Sequence, residues 1–219
     1  RISGVLADDL LFLVEHPPVI TFGRSANRRN LVAPPAALAA RGVELFEVER
    51  GGDITFHGPG QLVGYPIVDL KRHRQDLHWY LRQLEEALIL ALADLGVAGE
   101  RCAGLTGVWT TGPLRTPGTA GSPQGIARRK IASIGVHARD WVTWHGFALN
   151  VSTDLSYFDA MIPCGIEGVS MTTVEHETGA AVRLPDASAA VERAFAAVFG
   201  LRPAVVTRED LPLPAGVGA

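Results

Sequence analysis

Residues 50–66 read RGGDITFHGPGQLVGYP, a glycine-rich run that opens into a strand pattern where a nucleotide-binding loop would open into a helix. Gly51, Gly52, Gly58, Gly60 and Gly64 permit close backbone approach or positive φ, which a side chain would oppose. Arg50 adds a fixed charge and His57 a titratable ring. As a dinucleotide fingerprint the run fails: after Gly58 and Gly60 the third required position, residue 63, is Val, and Pro66 falls in the strand that follows. No Lys-Ser or Lys-Thr follows the glycines, so it is not a phosphate loop either. Two readings stand at this point, a hairpin turn with a buried histidine and the wall of a site.

Upstream, Leu11 to Glu15 and Val19 to Gly23 read as apolar strands around Pro17-Pro18, and Val43 to Glu49 as a half-exposed strand. Pro34 to Arg41 suits a short alanine-rich helix. Downstream, Asp76 is an N-cap for a helix with Leu77, Leu81, Leu84, Leu88, Leu92 and Leu95 on one face, stopped by Gly96. That stripe predicts packing on a sheet. Residues 107–110, 130–137 and 144–151 read as strands, with a loop from Gly112 to Gly125 expected to be mobile. A helix from Asp186 to Phe199, ended by Gly200, precedes a short strand at Val205 and a Pro/Gly-rich tail over 207–219 expected to be disordered. Mixed strands with few helices, no repeat and no linker place residues 1–206 in one α+β (mixed α/β) domain.

The 219 residues are 47% hydrophobic and 20% charged, enough for a sizeable core, with no apolar run of membrane-spanning length. A net charge of −3 gives no global footprint for nucleic acid, although RRK at 128–130 and KRHR at 71–74 could receive an acidic protein partner. A chain this long needs no disulfide staple, so Cys102 and Cys164 are read as free thiols in a reduced, cytoplasmic setting. The sequence begins at Arg1 without Met or an apolar leader, so the translated start is expected to lie upstream.

Cys164 lies in MIPCGI, where Pro163 and Gly165 bracket it into a tight, exposed turn. An ordinary thiol, with a pKa of about 8.5, is mostly protonated at neutral pH, so a nucleophilic cysteine needs a nearby cation. Of the 20 basic residues all but Lys71 and Lys130 are arginine. Lys130 leads into the apolar strand IASIGV, which can carry its ammonium into the sheet, and lysine suits a place where a proton comes and goes. The alternative is a solvated basic turn. Lys71 reads as a surface residue. His57, His137 and His145 lie near plausible site segments, which keeps a papain-like Cys–His pair open, while no metal-ligand spacing occurs.

In order, LLFLVEHPPVITFGR (10–24), RGGDITFHGPGQLVGYP (50–66), GLTGVWT (104–110), KIASIGVH (130–137), HGFALNVSTDLSYFDAMIPCGI (145–166) and SMTTVEHETG (170–179) resemble the lipoyl(octanoyl) transferase family. The resemblance implies the fold of the lipoate and biotin protein ligases: a larger mixed β-sheet flanked by helices, and a smaller sheet, around a tunnel-like pocket. It also implies transfer of an octanoyl group from acyl carrier protein to the lysine of a lipoyl domain, the first step of endogenous protein lipoylation. Acceptors would be the glycine cleavage H protein and the E2 subunits of 2-oxoacid dehydrogenases. No cofactor, metal, ATP, membrane or nucleic acid would be involved, and the enzyme would be a monomer.

Residue by residue, Cys164 would be the acyl-accepting nucleophile, and Lys130 the group that favours its thiolate and can exchange a proton. Substrate contacts would fall on Arg50, Gly51, Gly52, Asp53, Ile54, Thr55, Phe56 and His57, on Ser133, Ile134 and Gly135, and on Gly146, Phe147 and Ala148. Phe56, Ile134 and Phe147 are the expected wall of the acyl slot, and His57 shapes the pocket. Two departures stand out. The family carries a further strand and helix ahead of the LLFLVEHPP-like strand, and its loop at 112–125 is shorter, so the extra length here reads as an insertion. Three rivals differ in chemistry: an ATP-dependent lipoate or biotin ligase has no need of Cys164, an amidotransferase between proteins uses the same cysteine, and an acyl-binding protein leaves the Cys/Lys pair without a purpose.

Overall fold

Pro17 and Pro18 cannot continue a hydrogen-bonded ladder, so the chain changes sheet there. In the computed structural model, which describes residues 8–111, 128–166 and 168–211, β1 (Leu10–Val14) joins one sheet and β2 (Val19–Phe22) another. The chain continues through α1 (Pro35–Ala40), β3 (Glu44–Glu47), β4 (Ile54–His57), β5 (Gln61–Ile67) and α2 (Leu77–Asp94). Next come β6 (Gly99–Cys102), β7 (Leu105–Thr110), β8 (Arg129–Arg139), β9 (Val142–Asn150), β10 (Ser170–Met171), α3 (Val174–Thr178) and α4 (Leu184–Phe199). The loop expected at 112–125 and the last residues of the expected tail, 212–219, lie outside the described residues.

The larger sheet is seven-stranded, in the order β1-β5-β9-β8-β7-β6, with β10 pairing parallel to β8. The smaller sheet runs β3-β2-β4, β2 being parallel to β3 and antiparallel to β4. This is the mixed architecture expected from the sequence. Helix α2 starts where expected, the Asp76 carboxylate accepting from Trp79 N at 3.0 Å. Leu84, Leu88 and Leu92 of its stripe are buried against the sheet and α4, each contributing about 1.5–3 kcal/mol of burial. Leu77 remains 37% exposed, and Tyr80 fills the buried place in the first turns, its hydroxyl accepting from Thr143 Oγ1 at 3.3 Å.

Several expectations need correction. Helix α4 begins at Leu184, because Pro185 is compatible with a first helical turn. The strand expected at Val205 does not form; Val205 is 91% exposed and has no partner strand among the described residues. Short β6 and α3 were not expected; α3 is capped by Thr173, whose hydroxyl accepts from His176 N at 3.0 Å. A second core, built from Ile20, Ile54, Phe56, Phe158 and Met161, underlies the smaller sheet.

Candidate active site

Cys164 occupies a single 3-10 turn, Pro163–Gly165, with φ 57° and ψ 17°. A left-handed conformation at a residue with a Cβ costs on the order of 1–3 kcal/mol and persists only where its surroundings enforce it. Ile162 N donates to Asn30 O at 2.8 Å, Gly165 N to Ile162 O at 3.0 Å and Ile166 N to Pro163 O at 3.1 Å, which fixes the turn on both sides.

Lys130, on β8, is 2% exposed, and its Nζ lies 3.3 Å from Cys164 Sγ. The ammonium also sits 5.3 Å from the centroid of the Trp109 ring. Gly107 makes this possible: a Cβ there would meet Lys130 Cε at 2.9 Å and Ala132 O at 2.5 Å, at a φ of +121°. Among the described residues no ion pair joins Lys130 to a carboxylate, and the one hydrogen bond of its side chain is that to the Cys164 sulfur. Ser133 Oγ approaches the same sulfur at 3.8 Å. The Cys–His arrangement left open by the sequence is not formed, since these two residues are the hydrogen-bonding neighbours of Cys164 among the described residues. Cys102 is free and buried elsewhere.

The basic run at 128–130 is likewise not a surface patch. Arg129 forms a two-pronged ion pair with Glu177, at 2.8 and 2.9 Å, Lys130 turns inward, and only Arg128 stays exposed, 3.3 Å from Glu100. Burial alone would raise the Glu177 pKa, but hydrogen bonds from Arg129 and Thr172 outweigh it and hold the carboxyl below its ordinary value. Lys71, Arg72 and Arg74 are exposed, as expected of KRHR.

The Cys/Lys pair opens into a cavity of ≈ 480 Å³, within the range of small-molecule sites. Of the residues expected to contact substrate, Arg50, Gly51, Gly52, Asp53, Thr55, His57, Ser133, Ile134, Gly135, Gly146, Phe147 and Ala148 line it. Ile54 and Phe56 do not. Side chains alternate along β4, so Asp53, Thr55 and His57 face the cavity while Ile54 and Phe56 enter the second core. There Phe56 stacks on Tyr157 at 4.4 Å and meets Phe158 edge-on at 5.7 Å. The apolar wall is instead Val63, Leu105, Ile134, Phe147 and Ile166. Val63 and Tyr65 were overlooked, although their spacing in β5 places both on one face.

Arg50 is 8% exposed; its Nε and Nη2 donate to Thr21 Oγ1 at 3.1 and 3.0 Å, and Nη2 to Thr21 O at 2.7 Å. Burial lowers its pKa, opposed by the nearby Cys164 and Asp53. The RGG loop lies directly on β8, with Gly51 N donating to Val136 O at 3.0 Å. Gly135 allows that approach, because a Cβ there would come within 2.8 Å of Gly51 O. His57 Nδ1 faces the amide oxygen of Gln61 at 2.8 Å and therefore carries the proton. Gln61 Nε2 donates to Asn150 Oδ1 at 2.8 Å, and Asn150 Nδ2 to Thr172 O at 3.1 Å. Burial pushes the His57 pKa down to about 4, with Arg50, His16 and His145 adding to the effect and Gln61 opposing it. His57 is thus a neutral residue lining the cavity. His145 also lines the cavity, at a left-handed φ of 58° within β9. His137 lies outside the lining, 4.5 Å from the Trp144 ring.

Two sheets with this strand order and a shared cavity form the lipoate protein ligase fold. The solved structure of a bipartite lipoate protein ligase with its E2 lipoyl domain from Thermoplasma acidophilum matches with a TM-score of 0.70 and 19% identity, covering 95% of this chain and 79% of that one. More specifically, residues 3–196 match the lipoyl protein ligase A/B catalytic domain, and the chain belongs to that family. The octanoyltransferase of Koribacter versatilis is 47% identical over 222 residues, covering 97% of this chain and 83% of the relative. That of Gloeobacter violaceus is 47% identical over 202 residues, covering 92% and 81%.

Proposed function

We propose that this chain transfers an octanoyl group from acyl carrier protein to the lysine of a lipoyl domain by way of a thioester on Cys164. The octanoyltransferase relatives support the group transferred. The observation that carries the route is the 3.3 Å contact between Lys130 Nζ and Cys164 Sγ at the cavity wall. The ammonium stabilises negative charge on sulfur, and the thiolate attacks the carrier's thioester carbonyl. The new C–S bond forms as the carrier's C–S bond breaks, and the carrier thiolate departs and takes up a proton. One thioester replaces another, so this step is nearly balanced. The acceptor lysine, as a free amine, then attacks the acyl-enzyme; an amide forms, the amine sheds a proton, and Cys164 leaves as thiolate beside Lys130. The amide's greater stability draws the sequence forward, and two half-reactions through one acyl-enzyme predict ping-pong kinetics.

Acceptors of this chemistry include the glycine cleavage H protein and the E2 subunits of 2-oxoacid dehydrogenases, and the reaction belongs in the cytoplasm, where free thiols stay reduced. An ATP-dependent ligase of the same fold would have no use for a cysteine held in a left-handed turn beside a buried lysine. Incubation with octanoyl carrier protein should add one octanoyl mass at Cys164, released by hydroxylamine and absent in Cys164→Ala. In Lys130→Arg a planar fork replaces a compact ammonium, and adduct formation should slow about a hundredfold through misplacement alone. Turnover that requires ATP and leaves no adduct would overturn the mechanism.

A further inference from the structure

Asp53 lines the cavity, yet its carboxylate is already engaged on the protein side. Oδ1 accepts from Asn27 N at 3.0 Å and from its own Ile54 N at 2.8 Å, and Oδ2 accepts a short hydrogen bond from the Asn30 amide. Asn30 continues the connection, its carbonyl accepting from Ile162 N at 2.8 Å, two residues before the thiol. Leu31 forms a β-bridge with Met161, and Val32 N and Ala33 N both donate to Ala160 O, at 2.9 and 3.0 Å, so 30–33 runs alongside the segment that leads into the turn. The pair also touches the turn directly. A Cβ on Gly165 would lie 2.5 Å from Asp53 Oδ2 and 3.2 Å from Asn30 Nδ2, so the Gly165 backbone rests against both side chains.

We infer that Asp53 is a positioning residue that acts through Asn30 to hold Cys164 in its left-handed conformation opposite Lys130, not a substrate contact. The turn has few restraints of its own. Its two internal hydrogen bonds close it without orienting it; Lys130 and Ser133 of β8 reach its sulfur, while its backbone is tied to the rest of the site through Asn30 and the carboxylate behind it. A side chain on the cavity loop is thereby tied to the turn that carries the thiol.

The inference rests on Cys164 as the reacting thiol, and the experiment reads the thiol separately from the acyl transfer. Three variants of the full chain are needed: Asp53→Asn, Asn30→Ala, and the exchange Asp53→Asn with Asn30→Asp. In the first, the charge-assisted bond is lost: the Asn30 amide must turn over to accept from the new amide N–H, which leaves at most a neutral bond. In the second, the donor is removed from a residue outside the cavity lining. In the third, the bond re-forms with donor and acceptor reversed, while the amide oxygen introduced at position 53 still accepts from the backbone N–H groups of Asn27 and Ile54. Each is assayed for kcat and KM of octanoyl transfer and for the rate of Cys164 alkylation by iodoacetamide, followed by mass spectrometry, with melting temperature as the folding control.

Both single variants should lose about tenfold or more in kcat with KM within about twofold, and alkylation of Cys164 should change in parallel, as a misplaced reacting atom requires. The exchange should restore all three readouts to within about threefold of the parent chain. An Asn30→Ala variant with unchanged kcat, or an exchange that stays as impaired as Asp53→Asn, would end the inference, and a raised KM in Asp53→Asn would make Asp53 a substrate contact instead. Absence of octanoyl transfer in the unmodified chain would instead count against the functional reading, and the alkylation rates would still decide the positioning role.

Discussion

His57 sits beside Arg50 and two other histidines, and it stays neutral until about pH 4. In the unfolded chain the same ring protonates near pH 6.5. The folded state is therefore favoured above pH 6.5, and that advantage drains away as the pH falls toward 4, on the order of 3 kcal/mol in total. Calorimetric melting temperatures should fall across this window, and His57→Gln should flatten the fall. An unchanged slope in that variant would mean that other groups carry the acid sensitivity. The ring's place among glycines was legible in RGGDITFHGPGQ. Its lack of charge was not, because that depends first on burial by long-range packing and then on Arg50 folding back over Thr21 nearby. Similar reasoning applies at Ile54 and Phe56: their period-two spacing separates them from Asp53, Thr55 and His57, but the run resembled its family as a single block, and block resemblance hides alternation.

Among the elements, α2 does more than cover the sheet. Glu85 is fully buried on its inner side; Oε1 accepts from Gly107 N at 3.1 Å, and Oε2 meets Arg101 Nε at 3.2 Å as well as Arg82. One helix carboxylate thereby fixes the β7 backbone at the position where Lys130 needs room. Glu85→Ala would strand a buried N–H and leave both arginines without this partner, costing about 3 kcal/mol. For a chain of this size that lowers the melting temperature by roughly 6–12 °C, which calorimetry resolves, and Glu85→Gln should lose less. The leucine spacing made α2 readable, down to its Asp76 cap. Glu85 was unreadable, since Leu84-Glu85-Glu86 looks like an ordinary solvent edge and its backbone partner lies 22 residues away on another element. Short β6 and α3 escaped for a related reason: GERC and VEHET carry little apolar periodicity, and pairing decides them.

For the molecule as a whole, the order of motifs along the chain was enough to reach the two-sheet fold, whereas the cavity is a product of long-range packing. Its apolar wall draws Val63 from β5, Leu105 from β7, Ile134 from β8 and Phe147 from β9. If that wall holds the acyl chain, each methylene contributes about 0.8 kcal/mol, so a hexanoyl donor should show kcat/KM about fifteenfold below the octanoyl donor. Equal values for the two, measured on the same carrier, would place the chain outside the cavity. The short distance between Lys130 and Cys164 has a further side. On the proposed thioester route, an acylated sulfur would place a primary amine of the enzyme's own next to an activated carbonyl, and attack by that amine would convert the catalyst into a dead-end amide. Geometry must therefore discriminate between two lysines: the resident one pinned between the Trp109 ring and the Gly107 backbone, and the visitor arriving through the open cavity. A site that works this way would harbour a competitor for its own cargo, and the packing around Lys130 would then serve as restraint as much as support.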